Sequence, residues 1–229
     1  MGSSDARGFL YNNGAFTFIN APGSTDTMPH AINDAGQIVG TYYTSSVPSP
    51  NPPTFGFLNT NGVFSAISVP GSPATAANGI NDAGQIVGSF SSVDFRSGHG
   101  FLENNGVFTT IDVPGGSFTT PEGINNLGQI VGTVSSTTFE EGFLDTNGIF
   151  TTINVPGAVD TGATGINDAG QIVGFFIDAN GQGGSFLATP TPIPEPTSLP
   201  LLTSGLAGIA ILILRRQRAT ASPKRQSPA

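Results

Sequence analysis

One pattern of about 43 residues, written four times and begun a fifth, constrains this chain more than any other feature. Phe-Leu recurs at residues 9, 57, 101, 143 and 186, with spacings of 48, 44, 42 and 43, and Gly-Gln recurs at 36, 84, 128 and 170. Each copy runs Gly-Phe-Leu, a polar turn, Asn-Gly, and then a stretch such as Val107-Phe108-Thr109-Thr110-Ile111 that leads to Val113-Pro114-Gly115. A variable segment follows, and then a block such as Gly79-Ile80-Asn81-Asp82-Ala83-Gly84-Gln85-Ile86-Val87-Gly88. A fixed period of this length points to a propeller or a solenoid before anything else.

Within a copy the residues predict four short strands: Gly-Phe-Leu, Phe-Thr-Thr-Ile, Gly-Ile-Asn, and Gln-Ile-Val-Gly with its aromatic follow-on. All are rich in β-branched and aromatic residues, and none is long enough for a helix. Asn13-Gly14, Asn61-Gly62, Asn105-Gly106 and Asn147-Gly148 lie between the first two. Asn and Gly tolerate the positive φ of a tight hairpin. Asn33-Asp34-Ala35-Gly36 and its copies predict a second hairpin turn, with each Gly-Gln hairpin exposed and each Phe-Leu buried. The expected fold is all-β: four-stranded antiparallel units, β-propeller-like, as four blades or part of a larger propeller, with a stacked β array as the rival. A blade would run Gly79 to Asn81, Ile86 to Phe90, Phe101-Leu102, and Phe108 to Val113. The fourth then lacks its last strand, and Phe16 to Ile19 is expected to supply it as a strap that closes the ring.

The domain reading is an extracellular β-repeat body over residues 1–190, a Pro-rich linker over 191–198, a single transmembrane helix over 199–214 and a basic cytoplasmic tail over 215–229. Repeats start near 8, 56, 100 and 142, with a partial fifth near 184. Nine of the sixteen residues from Leu199 to Leu214 are Leu or Ile. As a helix the run would be about 24 Å long, short but sufficient to enter a bilayer core of about 30 Å. Arg215, Arg216 and Arg218 follow it directly, as the positive-inside rule expects of a membrane stop. Prolines 190, 192, 194 and 196 keep the preceding linker extended.

This order of Pro194-Glu195-Pro196, apolar run and arginines resembles the PEP-CTERM sorting tail over about residues 193–218. The resemblance implies recognition and cleavage by an exosortase, a membrane transpeptidase-like partner. It departs at the end, where Ala219 to Ala229 continue as a polar extension. The repeat itself resembles the HAF family of extracellular repeats. Gly98-His99-Gly100-Phe101-Leu102 is its nearest match, and the Gly-Ile-Asn-x-x-Gly-Gln-Ile-Val-Gly part matches in all four copies, with Ala31 for the leading glycine in the first. That resemblance implies an extracellular β repeat and carries no defined activity.

Charge fits an exported body. Residues 1–190 hold two basic and fourteen acidic residues, a net of −12, so binding to nucleic-acid phosphates is excluded. Cysteine is absent, which removes disulfides and thiolate metal sites. Met1 to Arg7 contain no apolar stretch, hence no signal peptide as written. Export then requires a start site further upstream or implies a truncated gene; the alternative is a copy that is not exported.

No catalytic, metal or cofactor set stands out, and the chain reads as a non-enzyme. Asp34, Asp82, Asn126 and Asp168 share one repeat position and could bind Ca²⁺, but an Asx turn satisfies Asn and Asp alike. Asp94, Glu103, Asp112, Glu122, Glu140, Glu141 and Asp145 are the off-pattern carboxylates from which a glycosidase pair would have to come. His30 and His99 read as loop histidines in unlike repeat positions rather than as a metal pair or a Ser-His-Asp triad. Tyr42, Tyr43, Phe90, Phe175 and Phe176 read as strand packing first and as a sugar-stacking face second. An extracellular polysaccharide is the candidate ligand, with the glycan-binding or glycan-cleaving propeller as the alternative to a structural surface protein.

Overall fold

The computed structural model describes residues 6–44 and 54–190. They form seventeen β-strands and no helix. The first pair is β1 (Gly8–Asn12) and β2 (Ala15–Ile19). Three complete four-stranded units follow. The first is β3 (Asp26–Ile32), β4 (Ile38–Tyr43), β5 (Thr54–Thr60) and β6 (Val63–Ile67). The second is β7 (Thr75–Ile80), β8 (Ile86–Ser91), β9 (Gly98–Asn104) and β10 (Val107–Ile111). The third is β11 (Phe118–Ile124), β12 (Ile130–Ser135), β13 (Glu140–Thr146) and β14 (Ile149–Ile153). The fourth has three strands, β15 (Ala158–Ile166), β16 (Ile172–Asp178) and β17 (Gly183–Ala188).

Every unit is an antiparallel meander in the order of the sequence. The phasing predicted from the second copy therefore holds. Turn chemistry dictates it. Asn13, Asn61, Asn105 and Asn147 adopt φ of 48°, 53°, 52° and 55°, each followed by a glycine at 82–85°. Positive φ at both central residues is the two-residue hairpin turn that matches strand twist.

The glycine of Ile-Val-Gly has a steric reason. At Gly88 a Cβ would overlap the Ala76 carbonyl oxygen and sit 2.9 Å from the Phe101 ring. Gly40, Gly132 and Gly174 repeat this beneath Phe57, Phe143 and Phe186. The phenylalanine of the third strand thus lies flat over bare backbone of the second. Opposite that glycine the first strand carries a bulge in all four units.

Units pack face to face through one repeated apolar layer. Val39, Leu58 and Ile67 of the first unit meet Ala77, Ile80, Ile86 and Phe101 of the second. Val87, Leu102 and Ile111 meet Ile124, Ile130 and Phe143 in the same way. The innermost strands β3, β7, β11 and β15 pack successively on one another. Phe57, Phe101 and Phe143 are each 1% exposed. At roughly 25 cal/mol per Å² these rings and their layer are the main source of stability.

Two expectations need correction. Phe16 to Ile19 does not close a ring: β2 pairs with β1 through the Asn13-Gly14 turn, and among the described residues neither pairs with β17. The local hairpin signal outweighs the distant partner. The Phe-Leu positions are not uniformly buried either. Phe9 and Leu187, in the outermost described strands, are 58% and 63% exposed because no further unit covers them among the described residues. Among the described residues no helix is long and apolar enough to cross a membrane. Leu199 to Leu214, Pro194, Glu195, Pro196, Arg215, Arg216 and Arg218 lie outside the described residues.

Candidate functional site

The Asn-Asp-Ala-Gly-Gln turn between first and second strands is built the same way four times. In the second unit Asn81 Oδ1 accepts the Gln85 amide at 3.0 Å, and Asn81 Nδ2 donates to Gln85 Oε1 at 2.8 Å. Gly84 takes φ of 76° to complete the turn. The same amide reaches onward. Asn33 Nδ2 donates to Asn81 O at 3.0 Å, Asn81 to Asn125 O at 3.1 Å, and Asn125 to Asn167 O at 3.1 Å. One side chain therefore shapes its own turn and staples the next unit.

Asp34, Asp82, Asn126 and Asp168 form a second ladder. The Asp34 amide donates to Asp82 Oδ1 at 2.8 Å, Asp82 to Asn126 Oδ1 at 2.9 Å, and Asn126 to Asp168 Oδ1 at 2.8 Å. This corrects the Asx-turn reading of these residues: the turn is made by the preceding Asn, and the Asp bonds the neighbouring unit. Asn126 Nδ2 also donates to Asp82 Oδ2 at 2.6 Å and Asp168 Oδ2 at 3.0 Å. An amide between two carboxylates offsets their repulsion. Among the described residues no group of three acidic, His or Cys side chains is placed to hold a metal.

In the first two units the bulged residue of the first strand reaches the next unit, whereas Thr164 of the fourth donates to Val173 O in its own unit. His30 Nδ1 donates to Ala77 O at 3.0 Å, and Asn78 Nδ2 donates to Pro121 O at 2.8 Å. Glu122 holds this position in the third unit and has no hydrogen-bond partner among the described residues. Burial pushes its carboxyl from 4.5 up to about 6. His30 and His99 both lie on strands, which corrects their reading as loop residues.

A groove of about 700 Å³ opens between the second and third units. Leu102, Ile111 and Phe150 form its apolar floor; Thr109, Asn126, Asn147 and Asp145 supply polar groups. Leu127 stands at its rim, 69% exposed, where the other copies have alanine. Asp145 is 7% exposed and accepts the Gly148 amide at 2.6 Å. Burial raises its pKa, against the pull of that amide.

Of the off-pattern carboxylates, the groove brings together Asp112 and Asp145 alone. Asp94 caps the β8–β9 turn through Ser92 and Arg96. Glu103 receives the Gly106 amide, as Asn59 receives that of Gly62. Glu141 takes a bond from Asn154. Glu140 sits at the single parallel bridge to Asp160.

His99 Nδ1 lies 2.9 Å from Asp112 Oδ1, and its Nε2 lies 3.3 Å from Ser97 Oγ. The order is that of a hydrolytic triad, but the third unit places Glu141 and Asn154 at the same two positions, bonded across the same strands. We assign the His99–Asp112 pair to strand pairing on that ground. Of the five aromatics, Tyr42 stacks on Phe55 at 5.4 Å and Phe90 lies 5.2 Å from the His99 ring, while Phe175 is 37% exposed.

Sequence reasoning missed one element. Thr27, Thr75, Thr119 and Thr161, 1–3% exposed, each accept the amide of the residue six positions earlier at 3.0–3.2 Å. A threonine at fixed distance from each Pro-Gly, inside the segment read as variable, was the signal available.

No protein-family model matches the sequence, and no match is found among curated proteins. Among solved structures the chain is similar to the β-propeller domain of the Trilobed protease from Pyrococcus furiosus, described as having an open velcro topology. The identity is 11%, the TM-score 0.50, and the match covers 75% of this chain and 53% of that one. The chain thus spans about half the length of the propeller it resembles. The likeness establishes a β-propeller type of fold and nothing about activity.

Proposed function

We propose that the chain is an exported, non-catalytic surface protein, sorted and cleaved through its C-terminal segment by an exosortase. Its propeller-type body would present the groove between the second and third units to an extracellular polysaccharide. The observation that carries the sorting half is the order of Pro194-Glu195-Pro196, the apolar run and the three arginines. With a signal peptide supplied in an exosortase-bearing host, mass spectrometry should find the mature C-terminus near Pro196. Intact material ending at Ala229 would refute processing.

The groove supports the binding half. Threonine, asparagine and carboxylate groups above an apolar floor suit a neutral polyhydroxylated chain, and the net charge of −12 over residues 1–190 disfavours anionic ligands. A glycan array probed with the full chain tests it; Asn147→Ala should weaken any hit about tenfold, the loss of a polar contact.

A second reading is hydrolysis of such a glycan. It is favoured by Asp112 and Asp145 lining one groove, with Asp145 held toward its protonated form as a general acid requires. Release of reducing ends that disappears in Asp145→Asn would select this reading over binding alone.

A further inference from the structure

The interface between units is one structure repeated, and its two sides are distinct. The forward side carries the valine of Ile-Val-Gly; Val39, Val87 and Val131 are fully buried there. The backward side carries the phenylalanine of Phe-Leu, equally buried in the complete units. At the ends the same positions are bare. Val173 on β16 is 48% exposed. Phe9 on β1 is 58% exposed, and Tyr11, Phe16 and Phe18 beside it are 58–71% exposed. These four rings share one face of the hairpin, with Phe9 opposite Phe18 and Tyr11 opposite Phe16. Leu10 and Ile19 take the other face into the layer with Ile38 and Phe57.

The position of the hairpin is informative. Gly8 lies against Pro29 of β3 as Gly100 lies against Pro121 of β11. So β1 and β2 occupy the third- and fourth-strand places of a unit, with no first and second strands beside them among the described residues. The fourth unit is the converse: β15, β16 and one third strand, β17, with no fourth. Hydrogen-bond polarity matches. The first three units donate forward, whereas among the described residues Asn167 Nδ2 serves Gln171 alone and the Asp168 amide has no acceptor. At the other end, among the described residues, Asn33 O and the Asp34 carboxylate receive nothing from a preceding unit.

We propose that two copies join head to tail by strand complementation, the β1–β2 hairpin of one replacing β17 beside β16 of the other. Phe9 would then cover Gly174 as Phe186 does now, Val173 would enter the layer of Ile38 and Phe57, and Asn167 would bond Asn33 O. The occupant is a second copy because the repeated interface specifies both halves of the joint, and within one chain β1 and β16 are unpaired with each other. An interface of two unlike faces propagates to a ring or an open filament. The incoming β1 would take over the main-chain bonds that β17 now makes to β16, and β2 would add the missing fourth strand.

The absence of native cysteine allows a direct test on full chains in nonionic detergent. In the complemented unit Leu10 faces Val173, as Leu102 faces Val87. Leu10→Cys and Val173→Cys chains, mixed and mildly oxidised, should give the mixed disulfide at least tenfold over either homodimer. Equal or absent crosslinking overturns the proposal. So does a Leu10→Cys/Val173→Cys double variant that closes within a single chain. Preferential linkage of Phe18→Cys to Leu187→Cys overturns it too, since that pairing marks stacked faces without strand exchange. Sedimentation of the unaltered chain guards against misfolded variants: a monomer at every concentration refutes the joint.

Discussion

Gly88 and Phe101 show how one residue dictates another in this repeat. The ring needs a flat floor, and only the absence of a Cβ provides it. Gly88→Ala should therefore destabilise by about 3 kcal/mol, the upper range of overpacking. Phe101→Ala, which leaves the cavity, should cost about 3–5 kcal/mol. Denaturant titration reads both, and a loss near zero in either would remove the ring-on-glycine contact from the core. Glu122 is the converse case, a residue that does not suit its position. His30 and Asn78 offer an N–H to the next unit, whereas an ionised Glu122 offers none. Its folded pKa of about 6 lies above the ordinary 4.5. The group's favourable contribution is thus complete below pH 4.5 and is lost as pH rises through 6. The difference is about 2 kcal/mol at 1.36 kcal/mol per unit. Glu122→Gln should raise stability at pH 7 and flatten the pH dependence between 4.5 and 6. An unchanged pH profile in the variant would show that Glu122 does not set it.

At the scale of elements, the turns and the inter-unit staples are one device. The Asn125 side chain makes three bonds within its own turn and a fourth to Asn167 O. Asn167 makes the same three intra-turn bonds and, among the described residues, has no unit beyond it. Replacing each by Ala separates the two roles. Asn125→Ala should cost more than Asn167→Ala by about 1 kcal/mol, one net hydrogen bond; equal costs would mean that the staple contributes nothing. The turns were legible in the sequence because Asn-Gly and Asn-Asp-Ala-Gly-Gln carry their geometry locally. The four strands and their phasing followed from them. The staple was not legible. Asn and Asp sit side by side, and only the position of the next unit decides which one turns the chain and which one reaches across. The threonine row escaped for a related reason, since its bond spans six residues of unlike sequence. The strap failed because Phe16 to Ile19 has two possible partners, and a two-residue turn brings β1 far closer than any distant edge. The groove was least legible: Asp112 and Asp145 are 33 positions apart, and only the packing of two units brings them together.

Among the described residues each unit packs on the next and the end strands do not pair with each other, so each unit's stability depends on its neighbours. The second and third units have a neighbour on both sides; β1, β2 and β17 lie where the array is covered on one side only. Opening should therefore start at the ends and reach the centre last. Amide hydrogen exchange on the full chain should protect β8 and β12 most strongly, near the free energy of global unfolding, and β17 and β1 least. The gradient also separates structural economy from function. The groove lies between the two most protected units, so a ligand there meets a site that is already formed and adds little to its protection. The joint between copies lies at the least protected elements, where strands can exchange without unfolding the centre. Raising the protein concentration should then slow exchange in β1, β2 and β16 while β8 and β12 stay unchanged. Uniform protection from end to end would show a single cooperative unit and remove the physical basis for strand exchange at the ends.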